Sequence, residues 1–280
     1  MRKVVLLIIG ILFLLMVFLL LFLIGGSSSK LYYKPASDQG RLMMQPGAAD
    51  TLSIVYLGDS WAERHKSHPC VIDEIIGKEL NIPVKVITVG ISGLTSKDIY
   101  LSMFNNHDIK SAFIKAPHFC FVVAGINDSD RKMGKKYYKE NMRLIITELL
   151  ANGVVPVVLE IPYYNSYRSF NSRSARVKLR YIRSMMINHE PMDCVASYQK
   201  AIRELLDEQH WNDSLIYIDN KSWNPLGYKD ARNLYDGGQM HLNERGYLVL
   251  DSCIAQSVVN FLSLSDISSR LPIGGRSHGN

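Results

Sequence analysis

The sequence predicts a three-layer α/β/α sandwich around a central five-stranded parallel sheet, preceded by one N-terminal transmembrane helix. Three observations carry this. Five short, apolar, β-branched runs recur between residues 51 and 219. Amphipathic stretches of helical length separate them, the pattern of strands buried on both faces of a parallel sheet. Ahead of them lies an apolar segment, Val4 to Ile24, whose 21 residues make roughly 32 Å of helix, enough to cross a bilayer.

The N-terminal segment comes first in order. The apolar core of a cleavable signal peptide runs to about 7–15 residues and ends at a small-residue cleavage site. This core is longer, and Gly25-Gly26-Ser27 is a weak cleavage site, so residues 1–26 are expected to stay as an anchor. Arg2 and Lys3 precede the span and favour a cytoplasmic N-terminus, placing the rest of the chain outside the cytoplasm. Lys30 and Lys34 oppose this orientation, but long domains translocate largely regardless of charge. Residues 27–50, rich in Gly, Ser and Pro, read as a flexible tether, and the Ser/Gly/Arg-rich residues 263–280 as a disordered tail.

The domain itself, residues 51–262, alternates. Strands are predicted at Thr51–Leu57, Val84–Val89, His118–Ala124, Val154–Ile161 and Leu215–Asp219. Helices are predicted at Pro69–Leu80, Ser96–Phe104, Lys135–Ala151, Met192–Gln209 and Glu244–Leu262. No internal repeat is present. One insertion, Tyr163 to Glu190, follows the fourth strand and gathers Tyr163, Tyr164, Tyr167 and Tyr181 with Arg168, Arg173, Arg176, Lys178, Arg180 and Arg183. Segments after the C-terminal end of a strand border the crevice of such sheets. The insertion is therefore either a solvated basic helix packed on the domain or a cationic, aromatic lip for a polyanionic or sugar substrate.

Composition narrows the functional classes. The net charge is +6, and without Arg2 and Lys3 the balance is 30 basic to 26 acidic residues, too even for a nucleic-acid footprint. Cys70, Cys120, Cys194 and Cys253 have no zinc-ligand spacing, and Cys120 and Cys253 sit in apolar runs, so packing is the expected role of both. His65 and His68 are three apart with no carboxylate or third histidine at a spacing suited to a metal site. They read as surface residues, not a metal pair.

The chemistry starts at Gly58-Asp59-Ser60, where the first strand stops. A serine at that position is held by the sheet and faces the crevice, but it needs a base to become a nucleophile. A remote histidine in Tyr-Asp-Gly-Gly-Gln-Met-His-Leu-Asn, His241, is the partner to look for. Two more segments follow strands: Gly90-Ile91-Ser92-Gly93-Leu94-Thr95 and Gly125-Ile126-Asn127-Asp128. In isolation each has a plainer role: Ser60 as a helix cap, Asn127 and Asp128 as turn formers, the glycines as backbone hinges.

Together, and in this order, the four segments resemble the four blocks of the SGNH hydrolases, also called the GDSL esterase/lipase superfamily. The resemblance covers about Thr51 to Leu262 and implies an SGNH (flavodoxin-like) fold and a serine esterase needing no cofactor and no metal. It implies Ser60 as nucleophile and His241 as general base and then acid. The oxyanion donors it implies are the backbone N–H groups of Ser60 and Gly93 and the side-chain amide of Asn127. Gly90 and Asp59 are expected to be structural. The sequence departs from the family where an aspartate normally lies three residues before the histidine; here that position is Gly238, and the nearest acid is Asp236. Either Asp236 reaches the imidazole or the pair works as a dyad with a backbone carbonyl fixing the tautomer. Trp61 replaces the usual leucine after the serine, so the adjoining pocket is expected to differ. With an outward-facing anchor, the expected substrate is an O-acyl, above all O-acetyl, carbohydrate of the cell surface. Acyl transfer to a glycan, a lipid or lysophospholipid esterase, and a non-catalytic glycan-binding module are the alternatives.

Overall fold

The computed structural model describes residues 2–24, 33–47, 50–226, 231–237 and 240–264. Helix α1 (Arg2–Ile24) is apolar all round beyond Arg2 and Lys3, and its described apolar side chains stand exposed except the half-buried Val17. It is long and apolar enough to cross a membrane.

The domain follows as β1 (Leu52–Gly58), α2 (Ser60–His65), α3 (Ile72–Leu80), β2 (Val84–Gly90), α4 (Ser96–Asn105), α5 (His107–Ser111) and β3 (Phe119–Val123). Next come α6 (Ile126–Asp130), α7 (Lys135–Ala151), β4 (Val155–Leu159), α8 (Ser166–Asn171), α9 (Ala175–Asn188) and α10 (Val195–Glu208). The last elements are β5 (Ile216–Ile218), α11 (Asn220–Trp223), α12 (Ala231–Leu234) and α13 (Glu244–Leu264). All four strand pairings are parallel, in the order β2-β1-β3-β4-β5. The predicted three-layer sandwich is what forms. Every residue of β3 is buried, as a central strand covered on both faces requires. Helices α3 and α13 pack together as one cover, and α7 packs between α4 and α10 as the other. The insertion becomes α8 and α9, and its tyrosines divide: Tyr164 and Tyr181 are buried, Tyr163 and Tyr167 exposed.

Two expectations need correction. Residues 33–47, expected to belong to a flexible tether, form a strap fastened to the domain. Ala36 N donates to Asn141 Oδ1, Gln39 N to Tyr100 Oη and Leu42 N to Glu148 Oε1. Gln45 exchanges backbone hydrogen bonds with Ile114 and Ala116. The strap is held by these main-chain bonds, which leave no mark in a hydropathy pattern, and by Leu42, which is buried in the core. His65, expected on the surface, is buried; its Nε2 lies 2.9 and 3.0 Å from the two oxygens of Asp251 on α13, and its ring stacks on Tyr56. His68 stacks on Tyr247. The missing carboxylate arrives from a helix remote in sequence. The predicted tail lies outside the described residues from 265 onward, and 263 and 264 extend α13. All four cysteines are free thiols.

Candidate active site

Register assembles the site. Gly58 stands level with Gly90 of β2 and with Val123 of β3, so the segments after all three strands leave one edge of the sheet side by side. Gly90 has the structural role expected of it: a Cβ there would lie 2.6 Å from Ala62 Cβ and 2.9 Å from Asp59 O. Its bare Cα is what lets α2 sit against β2.

Asp59 caps α2, its Oδ1 accepting from Trp61 N at 3.0 Å, and Ser60 is the first residue of the helix. Ser60 Oγ lies 2.9 Å from His241 Nε2, and both residues are half-buried. His241 reaches the serine from a short backbone ladder. Tyr235 and Leu242 form an antiparallel bridge, Asp236 N donates to His241 O at 2.8 Å, and Asn243 N donates to Leu234 O at 3.0 Å. Trp61, expected to alter the pocket beside the serine, is wholly buried instead. Its Nε1 donates to Met240 O at 3.0 Å, fixing the residue before His241, and its ring meets Trp223 edge-on. Nothing local in the sequence marks that role.

The second segment is pinned from both sides. Ser92 N donates to Glu63 Oε2 at 2.7 Å, and Arg131 Nη2 donates to Gly93 O at 2.8 Å. Gly93 adopts φ +80°, in the left-handed region that glycine occupies without strain. Among the described residues, neither Gly93 N–H nor Ser60 N–H has an acceptor. Glu63 and Arg131 were not legible as site residues: each acts on backbone atoms supplied by another segment.

Asn127 stands in α6, whose N-cap Gly125 takes φ +107°. Its Nδ2 donates to Asp59 Oδ2 at 2.9 Å and to Leu94 O at 3.0 Å. Asp128 turns away and accepts from Ser96 N at 2.9 Å, tying α6 to the start of α4. The expected orienting acid is not brought to the imidazole. Asp236 Oδ1 accepts from Gly237 N at 2.8 Å, and its Oδ2 lies 3.5 Å from Arg64 Nη1 with the side chain 66% exposed. Pairing its own N–H with His241 O leaves the carboxylate directed outward. Among the described residues no acceptor faces His241 Nδ1; Gly238 lies outside them.

The electrostatics follow from burial. Loss of solvent and the nearby Arg64 guanidinium push His241 down to about 4, with Asp236 opposing them. Burial pushes Asp59 up to about 7, restrained by the bonds from Trp61 and Asn127 and reinforced by Asp128. Burial likewise raises Asp128 to about 6. The chemical capacity is that of a serine beside a neutral imidazole, flanked by unpaired N–H groups. His65, Cys70 and Asp251 present ligand-type atoms within 4.8 Å of one another, but His65 Nε2 is taken up by the Asp251 carboxylate.

Comparison with known proteins gives a family and a shared fold. The model of the GDSL-like Lipase/Acylhydrolase family matches residues 56–249. A lipase/acylhydrolase from Enterococcus faecalis shares the fold with a TM-score of 0.52 at 19% identity, over 80% of this chain and 99% of its own. An esterase from Pseudoalteromonas, solved with monoethylphosphonate as inhibitor, gives 0.51 at 13% identity, over 76% and 99%. A variant of an acetyl-xylooligosaccharide esterase from Geobacillus gives 0.50 at 14% identity, over 84% and 100%. No curated protein matches by sequence.

Proposed function

The chain belongs to the GDSL-like lipase and acylhydrolase family, and from that premise we propose that it is a membrane-anchored serine esterase that removes O-acyl groups from extracytoplasmic carbohydrate. The observation that carries the serine mechanism is the 2.9 Å contact between Ser60 Oγ and His241 Nε2.

In this reading Ser60 Oγ attacks the ester carbonyl while its proton passes to His241 Nε2. The tetrahedral oxyanion is met by the free N–H groups of Ser60 and Gly93 and by the Asn127 amide. Asn127 keeps its bond to Asp59, and the hydrogen directed at Leu94 O is the one the oxyanion takes. Collapse breaks the bond to the alcohol, which leaves with the proton from His241. Water, deprotonated by the same imidazole, then releases the acid and restores Ser60. Among the described residues no acid holds the ring, so the imidazole is oriented by its backbone ladder and by Trp61, and Asp236 acts on it only through charge.

The anchor supports the location. The 23 residues of α1 carry no acidic group, and Arg2 and Lys3 begin the chain's only basic pair before the apolar run. A tethered enzyme facing outward meets O-acylated surface polysaccharide, and the same fold serves an acetyl-xylooligosaccharide esterase. The test is an active-site-directed fluorophosphonate. It is expected to label the wild-type protein at Ser60 and not the Ser60→Ala variant, which also loses ester turnover by on the order of 10³-fold or more. No labelling of wild type, or equal labelling of the variant, overturns the proposal.

A further inference from the structure

A cationic groove of about 400 Å³ opens beside the oxyanion segment. Its walls come from four parts of the chain: Tyr33 and Lys34 of the strap, Lys97 of α4, Arg131 after α6 with Tyr137 of α7, and Arg180 of α9. One acid, Asp98, also lines it; its Oδ2 caps α4, accepting from Thr95 N at 3.0 Å and Thr95 Oγ1 at 2.7 Å, and its single charge is outnumbered by the four cations of the lining. Among the described residues, none of Lys34, Lys97, Arg131 and Arg180 has an acidic partner. Lys97 Nζ donates to Lys34 O at 2.9 Å, which draws two of the cationic residues onto one wall. The charge continues along α9, which has no acidic residue over Ala175–Asn188 and whose Arg176 and Arg183 share the next concavity with Arg180.

Two features aim this groove at the reaction. Arg131 belongs to the groove and holds Gly93 O, so the groove begins at a side chain bonded to the residue whose N–H is a proposed oxyanion donor. Tyr33 and Tyr137 meet edge to face at 5.7 Å, giving the cationic walls an aromatic side. Like charges gathered around a concavity repel one another and gain only when an anion enters.

We propose that this groove is a substrate subsite that takes the anionic oxygens of an acidic glycan, with an O-acyl group of the same chain reaching Ser60. The inference rests on the reading of Ser60 as an esterase nucleophile and names the substrate class that reading leaves open. An anionic bilayer is the competing occupant, since Tyr33 follows soon after α1; a flat headgroup plane, however, does not enter a concavity.

Binding separates this proposal from the esterase itself. The full-length Ser60→Ala protein, reconstituted in phosphatidylcholine bilayers, is titrated with de-esterified oligogalacturonate and with neutral xylo-oligosaccharide. The acidic oligomer is expected to bind and the neutral one not. The affinity falls with salt as the Debye length shrinks from about 10 Å at 0.1 M to about 3 Å at 1 M. Lys97→Glu with Arg180→Glu is expected to weaken binding by about tenfold or more, the scale of lost charge-assisted contacts. Lys200→Glu on α10, outside the groove, leaves binding as it is. Wild-type kcat/KM is expected to favour O-acetylated polygalacturonate over acetylated xylan, with the double variant losing that preference through KM. Equal binding of both sugars, no effect of the double charge reversal, or complete displacement of the acidic oligomer by phosphatidylglycerol in the bilayer overturns the subsite. Binding by Ser60→Ala alongside an inactive wild type sinks the esterase and leaves the subsite standing.

Discussion

Burial and the Arg64 guanidinium together lower His241 to about 4, and the Asp236 carboxylate offsets them only in part. The neutral imidazole is the form that accepts the Ser60 proton, so kcat/KM is expected to fall in acid with a midpoint near pH 4. An unperturbed histidine would place that limb near pH 6.5. Arg64→Gln removes a neighbouring positive charge and should move the limb to higher pH; Asp236→Asn removes the compensating negative charge and should move it lower. A pH–rate profile of the three proteins on a neutral soluble ester checks both directions. A limb that stays fixed in both variants would rule out this electrostatic role. The same shift bears on stability. The folded pKa lies below the unfolded one, so the contribution is complete above about pH 6.5 and is lost as pH falls toward about 4. The buried carboxyls run the other way: with Asp59 raised to about 7, its contribution is present at low pH and declines as pH climbs from about 4 through 7.

Helix α2 is only six residues long, yet it presents the serine, so its position depends on what holds it from outside. Asp59 caps its start, Trp61 reaches across to Met240 O, Tyr247 Oη donates to Trp61 O at 3.0 Å, and His65 at its far end meets Asp251. Three of these four contacts tie it to α13 or to the turn leading into that helix. Asp251→Ala leaves the buried Nε2 of His65 unpartnered at the end of α2, with Thr88 Oγ1 3.4 Å from Nδ1 as the ring's remaining polar contact, a cost on the order of 3 kcal/mol. Melting is then expected about 6–12 °C lower for a domain of this size, measured by calorimetry, and an unchanged melting point would remove the pair from the account. This contact also shows where sequence reading stops. Gly58-Asp59-Ser60, the Gly93 segment and Asn127 are legible because each follows its own strand, and a parallel sheet in register must bring those ends together. His65 is illegible because its partner lies on a helix near the other end of the domain, and spacing within Arg64-His65-Lys66 says nothing of it. Asp236 fails for a related reason: its distance from His241 in sequence is short, but the bridge between Tyr235 and Leu242 decides which way the carboxylate faces.

Across the whole molecule, the strap shortens the stretch of chain between α1 and the domain. A free linker over residues 27–50 would let the domain range widely, since the span of a flexible chain grows with the square root of its length. Fastening residues 33–47 leaves only residues 25–32 between Ile24 and the first strap residue, a stretch whose reach is at most about 30 Å. The strap also contributes Tyr33 and Lys34 to the cationic groove, which makes it part of a surface as well as a connection. Composition could not reveal this, because the bonds run from backbone N–H groups of Ala36, Gln39 and Leu42 to side chains on α4 and α7. The contacts of Gln39 with Tyr100 and of Leu42 with Glu148 bracket Arg41, which is therefore held in place and poorly cut. Tyr100→Phe with Glu148→Ala removes both acceptors, at a combined cost of about 2 kcal/mol to the fastened state. Where opening is fast relative to cleavage, proteolysis follows the open population, so trypsin should cut after Arg41 about thirty-fold faster in the double variant. Mass spectrometry of the digest reads this as a large fragment beginning at Leu42. Equal yields of that fragment from wild type and variant would mean that the strap is not held by these bonds. The domain would then be free to move away from α1, and Tyr33 and Lys34 would leave the groove.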